Sequence, residues 1–211
     1  KKILLIQNKA LELSMFLSIP ASIALVIGSE QIISALFGYG SFSMDSVLNA
    51  SKALYYFGLG LPAFALIKVF STFFFANQDT KTPFYISLVS VLLNILISVY
   101  FFKDIGFIII PIATTISSWF NSLILFIYLK NNNLFEFNKT FFKQFVKIIF
   151  ASIIMGTSFQ YLILLFENQL SYAYIFKSAY LLLCVLFTII FYFAVSYFIK
   201  AFNYQDIKLK Y

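Results

Sequence analysis

Lys68 is the side chain least expected where it stands. The stretch 47–76 carries no charge after Lys52 except this lysine, and an ammonium in hydrocarbon costs at least ~2.5 kcal/mol. Eleven residues separate it from Asp79, about 16 Å along a straight helix, so it falls near mid-membrane. Two roles fit: a long side chain escaping along a tilted or broken helix, or a cation facing a wet cavity that holds an anionic substrate. Hydroxyls and amides form the second chemical group. Asn94 and Ser98 are four apart and share one helical face, and Thr114, Ser117 or Ser118, and Asn121 make a polar stripe on the next apolar run. Two such faces can hydrogen-bond across helices or, with freed carbonyls, hold an alkali ion. Gly58, Gly60 and Pro62 are the strongest helix interruption, a bend that lines a cavity or a tight packing seam. Pro20 and Pro111 are further kink candidates. Thr82 followed by Pro83 reads as an N-cap and first-turn proline, with Asp79 and Lys81 in a solvated turn.

Much other chemistry is excluded. The chain of 211 residues has His 0 and Cys 1, so it offers no disulfide, Cys/His zinc site or histidine base. The acidic residues are scattered, and no glycine-rich phosphate loop occurs. An enzyme is not expected.

The elements that must position these residues are membrane spans. Hydrophobic residues make up 62% and charged residues 11%, with mean hydropathy +0.92, which describes an all-α integral membrane protein and not a soluble surface. Six apolar runs are long enough to cross ~30 Å as helices, at 13–37, 47–76, 84–102, 105–129, 148–166 and 178–199. They are too long, and too unbroken in polarity, for barrel strands. With six spans both ends share a side. That side collects Lys1, Lys2, Lys9, Lys81, Lys130, Lys139, Lys143, Lys147, Lys200, Lys208 and Lys210 against Lys52, Lys103 and Lys177, so both ends are predicted cytoplasmic. The net charge of +7 sits in juxtamembrane segments, which implies anionic lipid and not nucleic acid as its partner. The polar interval 131–147 reads as a basic interfacial linker. It divides four helices (1–130) from two more and a tail (148–211). Lone Cys184 reads as packing. The opening KKILLIQNKALEL has no cleavable signal peptide, and Lys1 reads as internal.

The order of motifs resembles the MurJ (MviN) lipid II flippase family, within the wider multidrug, oligosaccharidyl-lipid and polysaccharide exporter superfamily. IQNKALEL followed by Pro20 is similar to the entry of that family's ninth helix, and LFGYGSF at 36–42 to its LFxxGxF loop. The strongest piece lies in 54–83, where GLGLPAFALIKVFSTFFFANQDTKTP, carrying Asp79, Thr80, Thr82 and Pro83, resembles GLPafxxxKvxxxxFyAxxDTxTP. Asn94 matches an asparagine of the eleventh helix, and Ala113, Thr114, Trp119 and Asn121 match ATsxxxWxN. From 131 onward only hydropathy agrees.

The resemblance implies helices nine to fourteen of a fourteen-helix, two-lobed flippase: part of the second lobe and its two extra C-terminal helices, with about eight helices in front. It implies a bacterial inner-membrane transporter for cell-wall biogenesis and cell shape. Lipid II, the undecaprenyl-linked peptidoglycan precursor, would pass to the outer leaflet by alternating access through a cationic cavity. The last two helices would border a groove for the polyprenyl tail. By the same resemblance Asn94, Ser98, the Ile110 carbonyl and Thr114 match a sodium site. Ser98 replaces an acidic residue there and the seventh helix is outside the chain, so membrane potential is the other candidate drive. Ile109 and Pro111 depart from small residues of the twelfth helix. Rival readings are another exporter of the superfamily, for drugs or polysaccharide lipids, and a non-transporting six-helix membrane scaffold.

Overall fold

The computed structural model describes residues 2–201; Lys1, Lys208, Lys210 and the tail beyond 201 lie outside the described residues. The helices are α1 (Lys2–Ile27), α2 (Ser29–Phe37), α3 (Met44–Ala76), α4 (Lys81–Ile105), α5 (Ile109–Asn131), α6 (Lys139–Leu165), the short α7 (Glu167–Leu170) and α8 (Lys177–Ile199), with a 3-10 turn at Gly106–Ile108 between α4 and α5. No strand occurs among the described residues.

Among the described residues five helical segments can cross a membrane by length and composition, one of them the 51-residue stretch Lys81–Asn131. That stretch would extend about 77 Å if straight, more than twice the hydrocarbon thickness. It does not run straight. Gly106 takes φ 75 with open space around it, and α4 packs along α5, so the segment is a hairpin of two helices. The expected 13–37 span is also divided differently. α1 already begins at Lys2, and Gly28 breaks the helix before the short α2, because a glycine offers little resistance to leaving the helical conformation.

Side by side, the long helices form a row in the order α4, α5, α3, α1, α6, α8. α2 packs on α3 and α8. Close approach explains several small residues: a Cβ on Gly156 of α6 would lie 2.6 Å from Ile23 Cγ2 of α1. At the lysine-rich end Phe70, Phe73 and Phe74 of α3 pack with Leu125, Leu129, Phe135 and Phe141. Cys184 is buried in the cluster at the other end, as its packing role requires.

The interval after α5 is held in place. Gln7 Nε2 donates to the Leu134 carbonyl (3.2 Å) and Asn8 Nδ2 to that of Glu136 (2.9 Å), while Asn8 Oδ1 accepts from the Asn138 amide (3.0 Å). α6 then starts at Lys139 and runs unbroken through Lys147, so the lysine-bearing stretch is the first part of a spanning helix.

The cap of α4 differs from the expected Thr82. Asp79 Oδ1 accepts from the amides of Lys81 (3.1 Å) and Thr82 (3.0 Å), while Thr80 and Thr82 flank it and Pro83 sits in the first turn. The Thr82 hydroxyl and amide hold the Asp79 carboxyl below its ordinary value, burial opposes them, and the Lys81 amide and charge add smaller lowering effects. A depressed carboxyl stabilises the fold above its unfolded pKa of about 3.9, and that contribution disappears as pH falls through the folded value. Asp79→Ala is expected to cost about 1 kcal/mol at neutral pH and to weaken the acid-side fall in melting temperature; identical melting curves at both pH values would contradict this cap.

Candidate functional site

The interruption in α3 is a joint between three helices. Pro62 has no N–H to meet the Gly58 carbonyl four residues back, and an unpaired carbonyl in an apolar interior is costly. Ser22 Oγ of α1 donates to it at 2.7 Å. From α5, Thr115 Oγ1 donates to the Tyr56 carbonyl at 2.7 Å and Trp119 Nε1 to that of Leu59 at 3.1 Å. Both glycines allow this proximity. A Cβ on Gly58 would lie 3.1 Å from Leu25 Cβ, and one on Gly60 only 2.9 Å from Thr115 Oγ1. α3 runs through this point as an unbroken helix, so the glycine-proline run is a tight packing seam.

Pro20 repeats the device in α1. The carbonyl it frees, that of Phe16, accepts from buried Tyr192 Oη of α8 at 2.8 Å. Pro111 behaves otherwise. α5 begins at Ile109, so Pro111 occupies the first turn, where its amide would have had no helical acceptor. It opens a helix and does not bend one.

The polar faces of α4 and α5 do meet. Asn94 Nδ2 donates to Thr114 Oγ1 (3.0 Å) and Ser117 Oγ (3.3 Å), Ser98 Oγ to Asn94 Oδ1 (3.5 Å), and Thr114 Oγ1 to the Ile110 carbonyl (2.8 Å). Ser118 Oγ donates to the Thr114 carbonyl. Lower on the same pair, Asn121 Nδ2 donates to Ser87 Oγ (3.4 Å), leaving its buried Oδ1 without a partner. All the matched oxygens are thus adjacent. They suit a hard cation in type but form a neutral set, and no group of three His, Cys, Asp or Glu gathers anywhere among the described residues.

Lys68 lies apart from both clusters. It is exposed on α3, on the side away from buried Phe70, Phe73 and Phe74, where a lobe or lipid could face it. An apolar groove of about 440 Å³ runs between α1 and α8, walled by residues including Phe16, Pro20, Ala24, Phe159, Ile189 and Phe193.

Ser22, Thr115 and Tyr192 were not singled out from the sequence. Only Pro20 and Pro62 hinted at them, since each proline implies a carbonyl in search of a donor four residues earlier. Ser22→Ala is expected to lower stability by about 1 kcal/mol; an unchanged melting temperature in detergent would show that the Gly58 carbonyl has another donor.

Comparison with known proteins agrees with this geometry. The family model described as Lipid II flippase MurJ matches residues 1–183. A "Probable lipid II flippase MurJ" of Rhizobium meliloti (strain 1021) is 40% identical over 121 residues, 57% of this chain and 23% of that protein. Its namesake in Rickettsia prowazekii (strain Madrid E) is 28% identical over 208 residues, 95% of this chain and 40% of that one. Among solved structures, "Lipid II flippase MurJ, inward closed conformation" superposes with TM-score 0.75 at 27% identity, covering 98% of this chain and 40% of the other. The chain thus spans less than half the length of these relatives. With that family model matching residues 1–183, the chain belongs to the lipid II flippase MurJ family.

Proposed function

We propose that this chain forms the carboxyl-terminal helices of a transporter that moves lipid II from the cytoplasmic to the outer leaflet of the bacterial inner membrane by alternating access, without covalent chemistry. The observation that carries this reading is the match of nearly the whole chain to a solved flippase captured in a closed state. The contacts around Pro62 support it, because a proline-bearing helix whose freed carbonyl is met by a neighbour can tilt without an unpaired backbone group. The remaining lobe of the protein completes the cavity. Lys68, exposed beyond the joint, meets the anionic pyrophosphate of the headgroup, and the groove between α1 and α8 takes the apolar tail. The lysine-rich ends of the helices lie against anionic lipid on the cytoplasmic side.

Asn94, Ser98, the Ile110 carbonyl and Thr114 would hold a sodium ion, whose chemistry is to favour one transporter state over the other by charge. Asn94 positions the set, since its amide joins all the side-chain hydroxyls. If the complete protein is instead driven by membrane potential, this set is a hydrogen-bonded helix contact.

Lys68→Ala in the complete protein is expected to reduce rescue of flippase-depleted cells at equal expression; full rescue removes Lys68 from the mechanism. Sodium is expected to raise the melting temperature of the complete protein and to lose that effect in Asn94→Ala. A melting curve indifferent to sodium would rule out the ion site.

A further inference from the structure

Lys177, the first residue of α8, is 1% exposed. Burying an ammonium costs several kcal/mol unless its donors are met. Here they are met by neutral groups. Nζ donates to the Gly38 carbonyl at 2.6 Å and the Tyr172 carbonyl at 2.6 Å, and the rings of Tyr39 and Tyr172 lie 4.4 and 4.6 Å from it, close enough for cation–π attraction. The surroundings are built for this one contact. A Cβ on Gly38 would lie 2.5 Å from the Ser34 carbonyl and 3.2 Å from Nζ, so only glycine lets the ammonium in. Tyr172 Oη donates to the Phe42 carbonyl at 2.7 Å. Ser178 Oγ, the next residue of α8, donates to the Ala35 carbonyl at 2.6 Å and lies 2.5 Å from Tyr39 Oη. The end of α2, the 38–42 turn and the start of α8 are thereby tied together.

This tie fixes the start of α8 against the end of α2 about 12 Å along α8 before Val185, where the groove between α1 and α8 begins, and Ile32 of α2 carries the groove's wall toward it. The other end is closed by Tyr192, whose hydroxyl holds the Phe16 carbonyl and whose ring lies 5.1 Å from that of Phe16. Between the two ties the walls are apolar side chains facing the groove, Ala21, Ala24 and Leu25 on α1 and Val185 and Ile189 on α8. Apolar contact alone tolerates sliding and does not set a spacing, whereas a charged or buried hydrogen bond does.

We propose that Lys177 and Tyr192 are positioning residues that fix the width of this groove at its two ends, so that a polyprenyl chain can occupy it without α8 collapsing onto α1 or swinging away. The proposal rests on the reading of the groove as the path of the lipid tail.

The test uses the complete flippase with spin labels at two exposed pairs outside the groove, Leu36 with Leu182 and Leu13 with Ile190. Narrow distance distributions are expected for both pairs in the parent protein. Lys177→Met should broaden the Leu36–Leu182 distances alone and Tyr192→Phe the Leu13–Ile190 distances alone, while Lys177→Arg, which keeps a cation with several donors, stays narrow. Unchanged distributions in both variants, or broadening of both pairs by either one, would overturn the proposal. In parallel, a photoreactive polyprenyl phosphate should label the groove, roughly tenfold less in Lys177→Met, the scale of one lost charge-assisted hydrogen bond. No labelling of the parent protein would overturn the lipid path, and the distances would still judge the two ties.

Discussion

Every carbonyl that a proline frees inside an apolar row of helices must find a donor from a neighbour, because no water is at hand to supply one. Pro62 frees the carbonyl of Gly58 and Pro20 that of Phe16, and the donors are Ser22 and Tyr192. These two contacts tie α1 to α3 beside it and to α8 on the far side of α6. The packing then follows. Gly58 brings the backbone of α3 close to Leu25 and Val26, and Gly156 does the same for α6 beside Ile23. α1 is therefore held from both sides, giving a hydroxyl to α3 and receiving one from α8.

The family motifs acquire physical meaning in this light. The glycine-proline run is a joint, the tryptophan downstream is one of its three donors, and the aspartate of the DTKTP turn caps a helix. The LFGYGSF turn supplies a glycine, a carbonyl and an aromatic ring to the lysine at the start of α8. Together these motifs tie α3 to α1 and α5, cap α4, and join the start of α8 to the end of α2.

Apolar length and the lack of charge made most of the helical framework legible in the sequence. The Asn94 and Thr114 faces were legible too, because four-residue spacing puts side chains on one stripe and consecutive antiparallel helices are neighbours. What remained hidden was contact across long separations. Ser22 and Gly58 are 36 residues apart, Lys177 and Gly38 139, Phe16 and Tyr192 176. A serine in an apolar run does not announce its acceptor, and Lys177 looked like any charge beside a span. The 13–37 run looked continuous because one glycine at 28 is a weak signal. Pro111 looked like a kink because its distance from the start of α5 depended on where the α4–α5 turn fell.

The order of helices in space has a bearing on how the protein is made. α4 and α5 are consecutive and pair at once as a hairpin when they leave the ribosome. α1 is different: it meets α3 early, but the flank that carries Ile23 and Phe16 waits for α6 and α8, more than a hundred residues later in the chain. During that interval the Phe16 carbonyl has no Tyr192 and the Gly38 turn no Lys177. The nascent row thus passes through a stage in which α1 is packed on one flank only. Closure of this row waits for the emergence of α8.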